Sequence, residues 1–235
     1  RGGEGCCLLA GVGFSVTDVE AALGLRTDES YEISVPGACA PCVSPTCTME
    51  ALITAETQYG AMRGLETLSQ LIAYDFDSGE YFLAHTPFFA MDAPRFPHRE
   101  LLLDSSRHYL PPPVIRRILD SLPFAKINVL HWHIVDNQSF PLPAPHAPAL
   151  PRRGAYSPAE RYSVGDVRGI VEYARRRAIR VIPEIDVPGH AASWCKGHPE
   201  ACPSPNCTTP LDPTDATART PHAHNASYHL LNKLF

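Results

Sequence analysis

The stretch Lys126-Ile-Asn-Val-Leu-His-Trp-His-Ile-Val-Asp136 decides the fold class of this 235-residue chain. It is a nearly continuous run of apolar and aromatic residues that ends at a carboxylate, which is typical of a strand in a parallel sheet. The same pattern occurs before it, in Leu101-Leu-Leu-Asp104, and after it, in Ile179-Arg-Val-Ile-Pro-Glu-Ile-Asp186. The shorter run Leu101–Leu103 is expected to be a strand covered on both faces. We therefore predict three parallel strands, each delivering an aspartate at its carboxyl end.

Amphipathic segments between these strands are predicted to be helices. One begins at Pro111–Pro113, because proline is tolerated in the first turn of a helix. The other begins after Ser163, an N-cap residue with Asp166 three positions later. Its apolar face is expected to contain Val167, Ile170, Val171, Ala174 and Ala178. Strands that alternate with helices predict parallel βα units.

The stretch from Arg99 to Phe235 holds three such units, whereas a complete eight-unit barrel takes about 250 residues. The predicted fold class is therefore α/β, with an incomplete (β/α)8 TIM barrel made of the first three βα units. The barrel is expected to be cut off in a helix that begins near Ser227.

Residues 1–93 differ in character and are predicted to form a small α+β domain ahead of the barrel. Tyr31–Val35 alternates between apolar and polar residues like a half-buried strand. Tyr59–Ala73 carries apolar residues at steps of three and four, as an amphipathic helix does. The proline-containing segment Pro94–Pro97 marks the boundary, so that residues 94–235 form the barrel portion.

Composition excludes several classes of function. The chain has 20 Lys+Arg against 25 Asp+Glu, a net charge of −5 that gives no electrostatic reason to expect a nucleic-acid partner. No apolar run approaches the roughly 20 residues of a membrane span. No glycine-rich phosphate loop follows any strand, so we expect no cofactor. The chain begins at Arg1 without a charged-then-apolar leader, so we expect either that a leader has been removed or that the true N-terminus is missing.

The eight cysteines indicate the cellular compartment. Two clusters, Cys39–Cys47 and Cys195–Cys207, lie in stretches rich in proline and serine, where cysteines form disulfides or bind metal. Only Cys39-Ala-Pro-Cys42 has the tight spacing of a zinc site, so disulfides are favoured, with their connectivity open. Asn206-Cys-Thr208 and Asn225-Ala-Ser227 are glycosylation sequons. Together these features favour a glycoprotein of the secretory pathway.

Side chains suited to catalysis collect at the predicted carboxyl ends of the strands, where α/β folds place their active sites. The set consists of Asp104, Arg107, His133, Asp136, Asp186 and His190. For Asp104 alone, a turn or helix cap is the favoured interpretation. The recurrence at three strand ends favours a functional site for the set.

Four segments resemble glycoside hydrolase family 20, the family of the eukaryotic β-N-acetylhexosaminidases. Tyr59–Leu71 resembles the helix ahead of the family's catalytic domain, and Arg95–Pro111 resembles its first barrel strand and loop. Asn128–Asp136 is similar to the second strand, and Glu172–His190 is similar to the third helix and strand. The four matches occur in the family's order and extend over most of Tyr31–Trp194.

The resemblance implies an exo-acting, retaining glycosidase that removes terminal non-reducing N-acetylglucosamine or N-acetylgalactosamine from glycans. In this family the nucleophile is the 2-acetamido oxygen of the substrate, an exception to the scheme with two enzyme carboxylates. An Asp-Glu pair after the fourth strand orients the acetamide and supplies the general acid/base. That pair is expected to follow Phe235, so we expect these 235 residues to be an N-terminal portion that is inactive alone.

The resemblance also implies roles for five residues. Asp136 and His190 match the aspartate and histidine that support the catalytic glutamate. Arg107 matches an arginine that binds sugar hydroxyls, and His133 and Asp186 match other substrate-binding positions. A lysosomal, vacuolar or extracellular location fits this interpretation, and the resemblance allows a homodimer of the full-length protein.

Two alternatives remain. His131 and His133 alternate along one strand and share a face, so with Asp136, Asp186 and His190 they could form the metal site of a different barrel hydrolase. The family interpretation instead predicts no resident metal. The second alternative is a truncated or degenerate chain that binds sugars without catalysis.

Overall fold

A computed structural model describes residues 8–37, 48–204, 206, 208–211 and 226–234. The cysteines outside these residues are Cys6, Cys7, Cys39, Cys42, Cys47 and Cys207, and the sequon residue Asn225 also lies outside them. The chain divides into two compact units, the first comprising Arg1–Arg99 with Leu122–Asn128 and the second Glu100–Ser121 with Val129–Phe235. Among the described residues, no helix is both long and apolar enough to cross a bilayer.

The first unit combines a four-stranded sheet, one long helix and a hairpin. Its elements are β1 (Leu8–Asp18), β2 (Tyr31–Val35), β3 (Thr48–Thr57), α1 (Gln58–Leu71), β4 (Ile72–Asp75), β5 (Glu80–Leu83) and β6 (Phe88–Asp92). The strand order of the sheet is β1-β3-β2-β6, with β1 parallel to β3 and the other pairs antiparallel. Strands β4 and β5 form a separate antiparallel pair. The predicted helix ends at Leu71, and its last two residues begin β4 instead.

The core of the first unit lies between one face of the sheet and α1. Alternate residues of β3, among them Ile53, are buried on this face together with Leu68 of α1. Gly60 and Gly64 allow the helix backbone to approach the sheet closely, because a Cβ at Gly60 would meet the carbonyl oxygen of Ser30. The identity of these glycines is therefore set by packing.

Gly60→Ala is expected to lower the free energy of unfolding by about 1–3 kcal/mol, since the added methyl group overpacks a backbone contact. Urea denaturation followed by circular dichroism measures the change. Gly165→Ala is the matched control, because a Cβ there would make only ordinary contact with Ser163. Equal stability of the two variants would contradict the packing argument.

A buried cluster of polar side chains within the first unit is centred on Glu29. Its carboxylate accepts hydrogen bonds from Arg63 Nε at 2.7 Å, from Arg99 Nη2 at 2.9 Å and from Asn128 Nδ2 at 2.8 Å. Arg63 is 1% exposed, and Glu29 and Asn128 are also buried. Arg99 directly precedes Glu100, and Asn128 directly precedes Val129, where the first two strands of the second unit begin.

The second unit is built on three parallel strands in the order β7-β8-β9. Its strands are β7 (Glu100–Asp104), β8 (Val129–Val135) and β9 (Arg180–Ile185), and its helices are α2 (Pro112–Ser121), α3 (Ala149–Gly154), α4 (Val164–Arg175), α5 (Ala192–Cys195) and α6 (Ala226–Leu234). The mixed α/β class predicted from the sequence is thus confirmed.

The predicted start of α4 is confirmed in detail. The Ser163 hydroxyl accepts the backbone N–H of Asp166 at 3.0 Å, and the Asp166 carboxylate accepts the backbone N–H of Ser163 at 2.8 Å, which completes a capping box. The predicted apolar face is only partly right. Ile170, Ala174 and Ala178 are buried as predicted, but Val167 is only partly buried and Val171 is 44% exposed. Ala178 lies after the end of the helix, in a left-handed conformation at the turn into β9.

Burial on both faces, predicted for the run Leu101–Leu103, is wrong for β7 and is found in β8 instead. Val129, Leu130 and Trp132 of β8 are buried, whereas Leu101 and Leu102 of β7 are 41% and 52% exposed. The reason is position in the sheet: β8 lies between two neighbours, while β7 has one neighbour among the described strands. Similar apolar runs therefore differ in burial according to what lies beside them.

The disulfide interpretation is confirmed for one pair. Cys195 and Cys202 are joined, which ties α5 to the short 3-10 helix at Pro199–Ala201. Asn206, the acceptor of the first sequon, is exposed a few residues further on.

Candidate active site

Three side chains, one from β8 and one from each segment after β7 and β9, converge on one oxygen of Asp136. Asp136 itself comes directly after β8 and is 0% exposed. Its Oδ2 atom lies 2.7 Å from Arg107 Nη2, 2.7 Å from His133 Nε2 and 3.0 Å from His190 Nδ1. The structure thus brings together four of the residues that the sequence analysis singled out.

Asp104 orients Arg107. Its Oδ1 atom accepts the backbone N–H groups of Ser106 and Arg107 at 2.9 and 3.0 Å, and its Oδ2 atom accepts Arg107 Nη1 at 2.7 Å. Burial opposes ionisation of this carboxyl, but its hydrogen bonds with Arg107 prevail and hold the pKa of Asp104 below its usual value. Asp104 is therefore a turn residue, as favoured from the sequence, that also fixes the guanidinium against Asp136.

His133 is only 5% exposed and lies between two carboxylates. Its Nε2 atom contacts Asp136, and its Nδ1 atom lies 2.7 Å from Glu184 Oε2. Burial favours the neutral ring, but the hydrogen bonds to Glu184 and Asp136 outweigh it and raise the pKa of His133 above its ordinary value. Both ring nitrogens are engaged, which leaves neither for a sugar hydroxyl.

Glu184 is a member of the cluster that the sequence analysis missed. It lies on β9 in register with His133, and its Oε2 atom is also 2.7 Å from Nε2 of His131. The hydrogen bond from His133 lowers the pKa of Glu184, and His131 adds to the effect. The sequence did contain a sign of this contact. A carboxylate within an otherwise apolar strand is costly to bury unless it is paired, so Glu184 predicts a polar partner on the neighbouring strand.

His190 reaches Asp136 through an unusual backbone conformation. Its φ angle is 49°, in the left-handed region that non-glycine residues seldom occupy and that is found at active sites. Its side chain is half exposed, and its Nε2 atom lies 3.9 Å from Asp186 Oδ2. Asp186 thus lies at the outer side of His190 and is not among the partners of Asp136.

Hydrogen bonds also join the segment after β8 to the start of α5. Ser193 Oγ donates to the backbone carbonyl of Asp136 at 2.5 Å, and the Asn137 side-chain oxygen accepts the backbone N–H of Ala192 at 2.9 Å. Both contacts lie two and three residues after His190 and fix the C-terminal end of the segment that carries it.

The two histidines of β8 both turn toward Glu184, at 2.7 Å each. Within the described part of the chain, no group of three or more histidine, cysteine, aspartate or glutamate side chains is arranged to hold a metal ion.

A parallel β/α sheet whose strand ends surround a buried carboxylate with an arginine and two histidines has a polar site at its carboxyl edge, where α/β enzymes hold their active sites. The chain belongs to glycosyl hydrolase family 20: residues 96–235 match the model of the family's catalytic domain. Residues 9–71 match a second family model, described as beta-acetyl hexosaminidase like.

Curated relatives confirm the resemblance seen in the sequence. The chain is 48% identical over 211 residues to beta-hexosaminidase 3 of Arabidopsis thaliana, in an alignment that covers 90% of this chain and 38% of the relative. It is 44% identical over 181 residues to beta-hexosaminidase subunit beta of Homo sapiens, with 77% and 30% covered. The chain therefore spans well under half of the length of these relatives.

Solved structures of hexosaminidases and a chitobiase are also similar to this chain. The chain is similar to the chitobiase of Flavobacterium johnsoniae, with a TM-score of 0.68 and 37% identity over 81% of this chain and 26% of the other. It is also similar to the Streptomyces plicatus N-acetyl-beta-hexosaminidase in complex with Thio-NAglucal, with a TM-score of 0.66 and 26% identity over 86% and 38% of the two chains.

Proposed function

We propose that this chain is the N-terminal portion of a β-N-acetylhexosaminidase that removes terminal non-reducing N-acetyl-β-D-hexosamine residues from glycans. One observation carries the proposal: Arg107, His133 and His190 meet on a single oxygen of Asp136, at the carboxyl ends of parallel strands in a chain of family 20. Arg107 and His190 remain partly exposed, so their polar atoms can also contact a bound ligand.

Arg107 is proposed to bind sugar hydroxyls. Asp104 and Asp136 hold two of its terminal nitrogens at 2.7 Å each, which fixes the plane of the guanidinium. A guanidinium held in a fixed plane can donate two N–H groups to a pair of adjacent hydroxyls, and the exposed edge of Arg107 can provide these donors. The two carboxylates thus position a donor that would otherwise be flexible.

Asp136 and His190 are proposed to support the general acid/base glutamate. A carboxylate only accepts hydrogen bonds, so His190 donates its Nδ1–H to Asp136 and leaves Nε2 on the exposed side of the ring. A histidine held in one tautomer by an aspartate can tune a neighbouring proton donor, as in a catalytic triad. The glycosidic oxygen is a poor leaving group until such a donor protonates it.

The proposed mechanism is retaining and substrate-assisted, with the acetamido oxygen as the nucleophile. The Asp-Glu pair that it needs is proposed to lie on a fourth barrel strand outside these 235 residues, and we propose that the chain alone is inactive. In this proposal residues 94–235 form the first three βα units of the barrel, and residues 1–93 form part of the preceding domain. The chain covers only 38% and 30% of the two hexosaminidase relatives, which supports the proposal that the rest of the barrel lies outside these 235 residues.

A secretory location is part of the proposal. The Cys195–Cys202 disulfide supports it, because such bonds persist in oxidising compartments. The exposed Asn206 of the first sequon is available to a glycan.

The test compares the 235-residue chain with a hybrid in which it is joined to the C-terminal remainder of the Arabidopsis thaliana beta-hexosaminidase 3. Hydrolysis of an aryl N-acetyl-β-D-glucosaminide is measured for both, with the C-terminal remainder alone as the control. We expect turnover by the hybrid only. Turnover by the chain alone would refute its inactivity, and a folded but inactive hybrid would refute the function. In the second case, binding of N-acetylglucosamine measured by calorimetry would instead support a sugar-binding protein.

A further inference from the structure

Glu184 has no part in the roles proposed so far, yet it is joined to the site by short contacts. Its Oε2 atom lies 2.7 Å from Nδ1 of His133, which in turn lies 2.7 Å from Asp136 through Nε2. Asp136 then contacts His190 at 3.0 Å. Two carboxylates and two imidazoles therefore form one continuous chain from β9 through β8 to the exposed ring of His190.

The protonation state of His133 follows from the chemistry of its partners. Ionised carboxylates have lone pairs and no proton to donate. Because each ring nitrogen of His133 faces a carboxylate oxygen, both hydrogen bonds form only when both nitrogens carry a proton. A neutral His133 would leave one of the two carboxylates facing a ring lone pair in a buried position.

We propose that Glu184 is a positioning residue that keeps His133 as an imidazolium, whose Nε2–H in turn holds the Asp136 carboxylate in place for His190. This inference rests on the proposed function for its catalytic meaning. The substitution of Glu184 is expected to act on the reaction only through His133 and Asp136, without contact with the sugar.

Charged and titratable groups lie near His133 on β8, on β9 and in the segment after β7. On β8 and directly after it lie His131 and Asp136, and on β9 lies Glu184. Arg107, which follows β7, opposes protonation of the ring, whereas the two carboxylates favour it. Asp136 also pairs with Arg107 and His190, and Glu100 on β7 lies 3.3 Å from Nδ1 of His131. Glu184 is the carboxylate that contacts both histidines of β8.

The first experiment is a pH titration of the 235-residue chain labelled with 15N in its histidines, in which nuclear magnetic resonance reports the protonation of each ring nitrogen. His133→Gln assigns the signal. We expect both nitrogens of His133 to be protonated at pH 7, with a midpoint above the ordinary value of about 6.5. In Glu184→Gln the midpoint is expected to fall by about one pH unit or more.

Glu172→Gln is the matched control, because Glu172 forms ion pairs only with Arg175 and Arg176 on the exposed face of α4 among its recorded contacts. It should leave the titration of His133 unchanged. A neutral His133 at pH 7 in the unsubstituted chain would overturn the inference even if Glu184→Gln failed to fold. An equal midpoint in the folded Glu184→Gln variant would overturn it as well.

The second experiment measures the pH profile of kcat in the hybrid enzyme. Activity that needs the His133 imidazolium is lost as the pH rises through its pKa, so Glu184→Gln should move the alkaline limb to lower pH. We expect kcat to fall about threefold or more at pH 7 with KM nearly unchanged, whereas a merely structural role would leave the profile in place. An inactive unsubstituted hybrid would count against the proposed function, and the titration of the isolated chain would still decide the role of Glu184.

Discussion

Glu29→Ala is expected to lower the free energy of unfolding of the first unit by about 3–5 kcal/mol. The Glu29 carboxylate is the shared acceptor of Arg63, Arg99 and Asn128. Burial lowers the pKa of the Arg63 guanidinium, and the Glu29 charge is the chief opposing influence. Without Glu29 a buried cation is left unpaired, which is far more costly than the loss of an exposed ion pair.

Urea denaturation followed by circular dichroism measures this loss, and hydrogen exchange in β2 and β3 assigns it to the first unit. Glu56→Ala is the matched control, since Glu56 lies exposed on β3. Glu29→Gln should lie between the two, because an amide oxygen still accepts hydrogen bonds but carries no charge. If Glu29→Ala and Glu56→Ala unfolded at the same urea concentration, the cluster would not be a source of stability.

Asp136→Asn is expected to lower kcat of the hybrid enzyme by roughly 100-fold or more, with a much smaller change in KM. One anionic oxygen of Asp136 serves Arg107, His133 and His190 at once. A neutral amide supplies no charge for these groups, and its NH2 group faces donors if it is turned toward them. The tautomer of His190 is then no longer determined, and the support that we propose for the acid/base glutamate is lost.

Steady-state kinetics with an aryl N-acetyl-β-D-glucosaminide give kcat and KM separately. Asp120→Asn is the control for the same chemical change, because Asp120 pairs with Arg177 at the surface of the second unit. A folded Asp136→Asn hybrid that kept kcat within threefold would contradict the supporting role proposed for Asp136.

Local patterns in the sequence determined most of the secondary structure of the second unit. The strand ends at Asp104, Asp136 and Asp186 were visible because apolar runs stop at polar residues, and the capping box at Ser163 was visible because its hydrogen bonds join residues three apart. The burial of individual side chains could not be predicted from these local patterns. Leu101 is exposed and Leu130 is buried in similar runs, since burial depends on neighbours that are distant in sequence.

For the candidate site too, the sequence predicted the residues but not the contacts between them. The sequence by itself determined the family and the presence of Arg107, Asp136 and His190 after three parallel strands, because each residue is fixed by the short segment around it. Only the tertiary structure decided that these side chains share one carboxylate oxygen and that Glu184 faces His133. The physical reason is strand register: which side chains meet across a parallel sheet is set by the pairing of whole strands, and a shift of one residue would turn them to opposite faces.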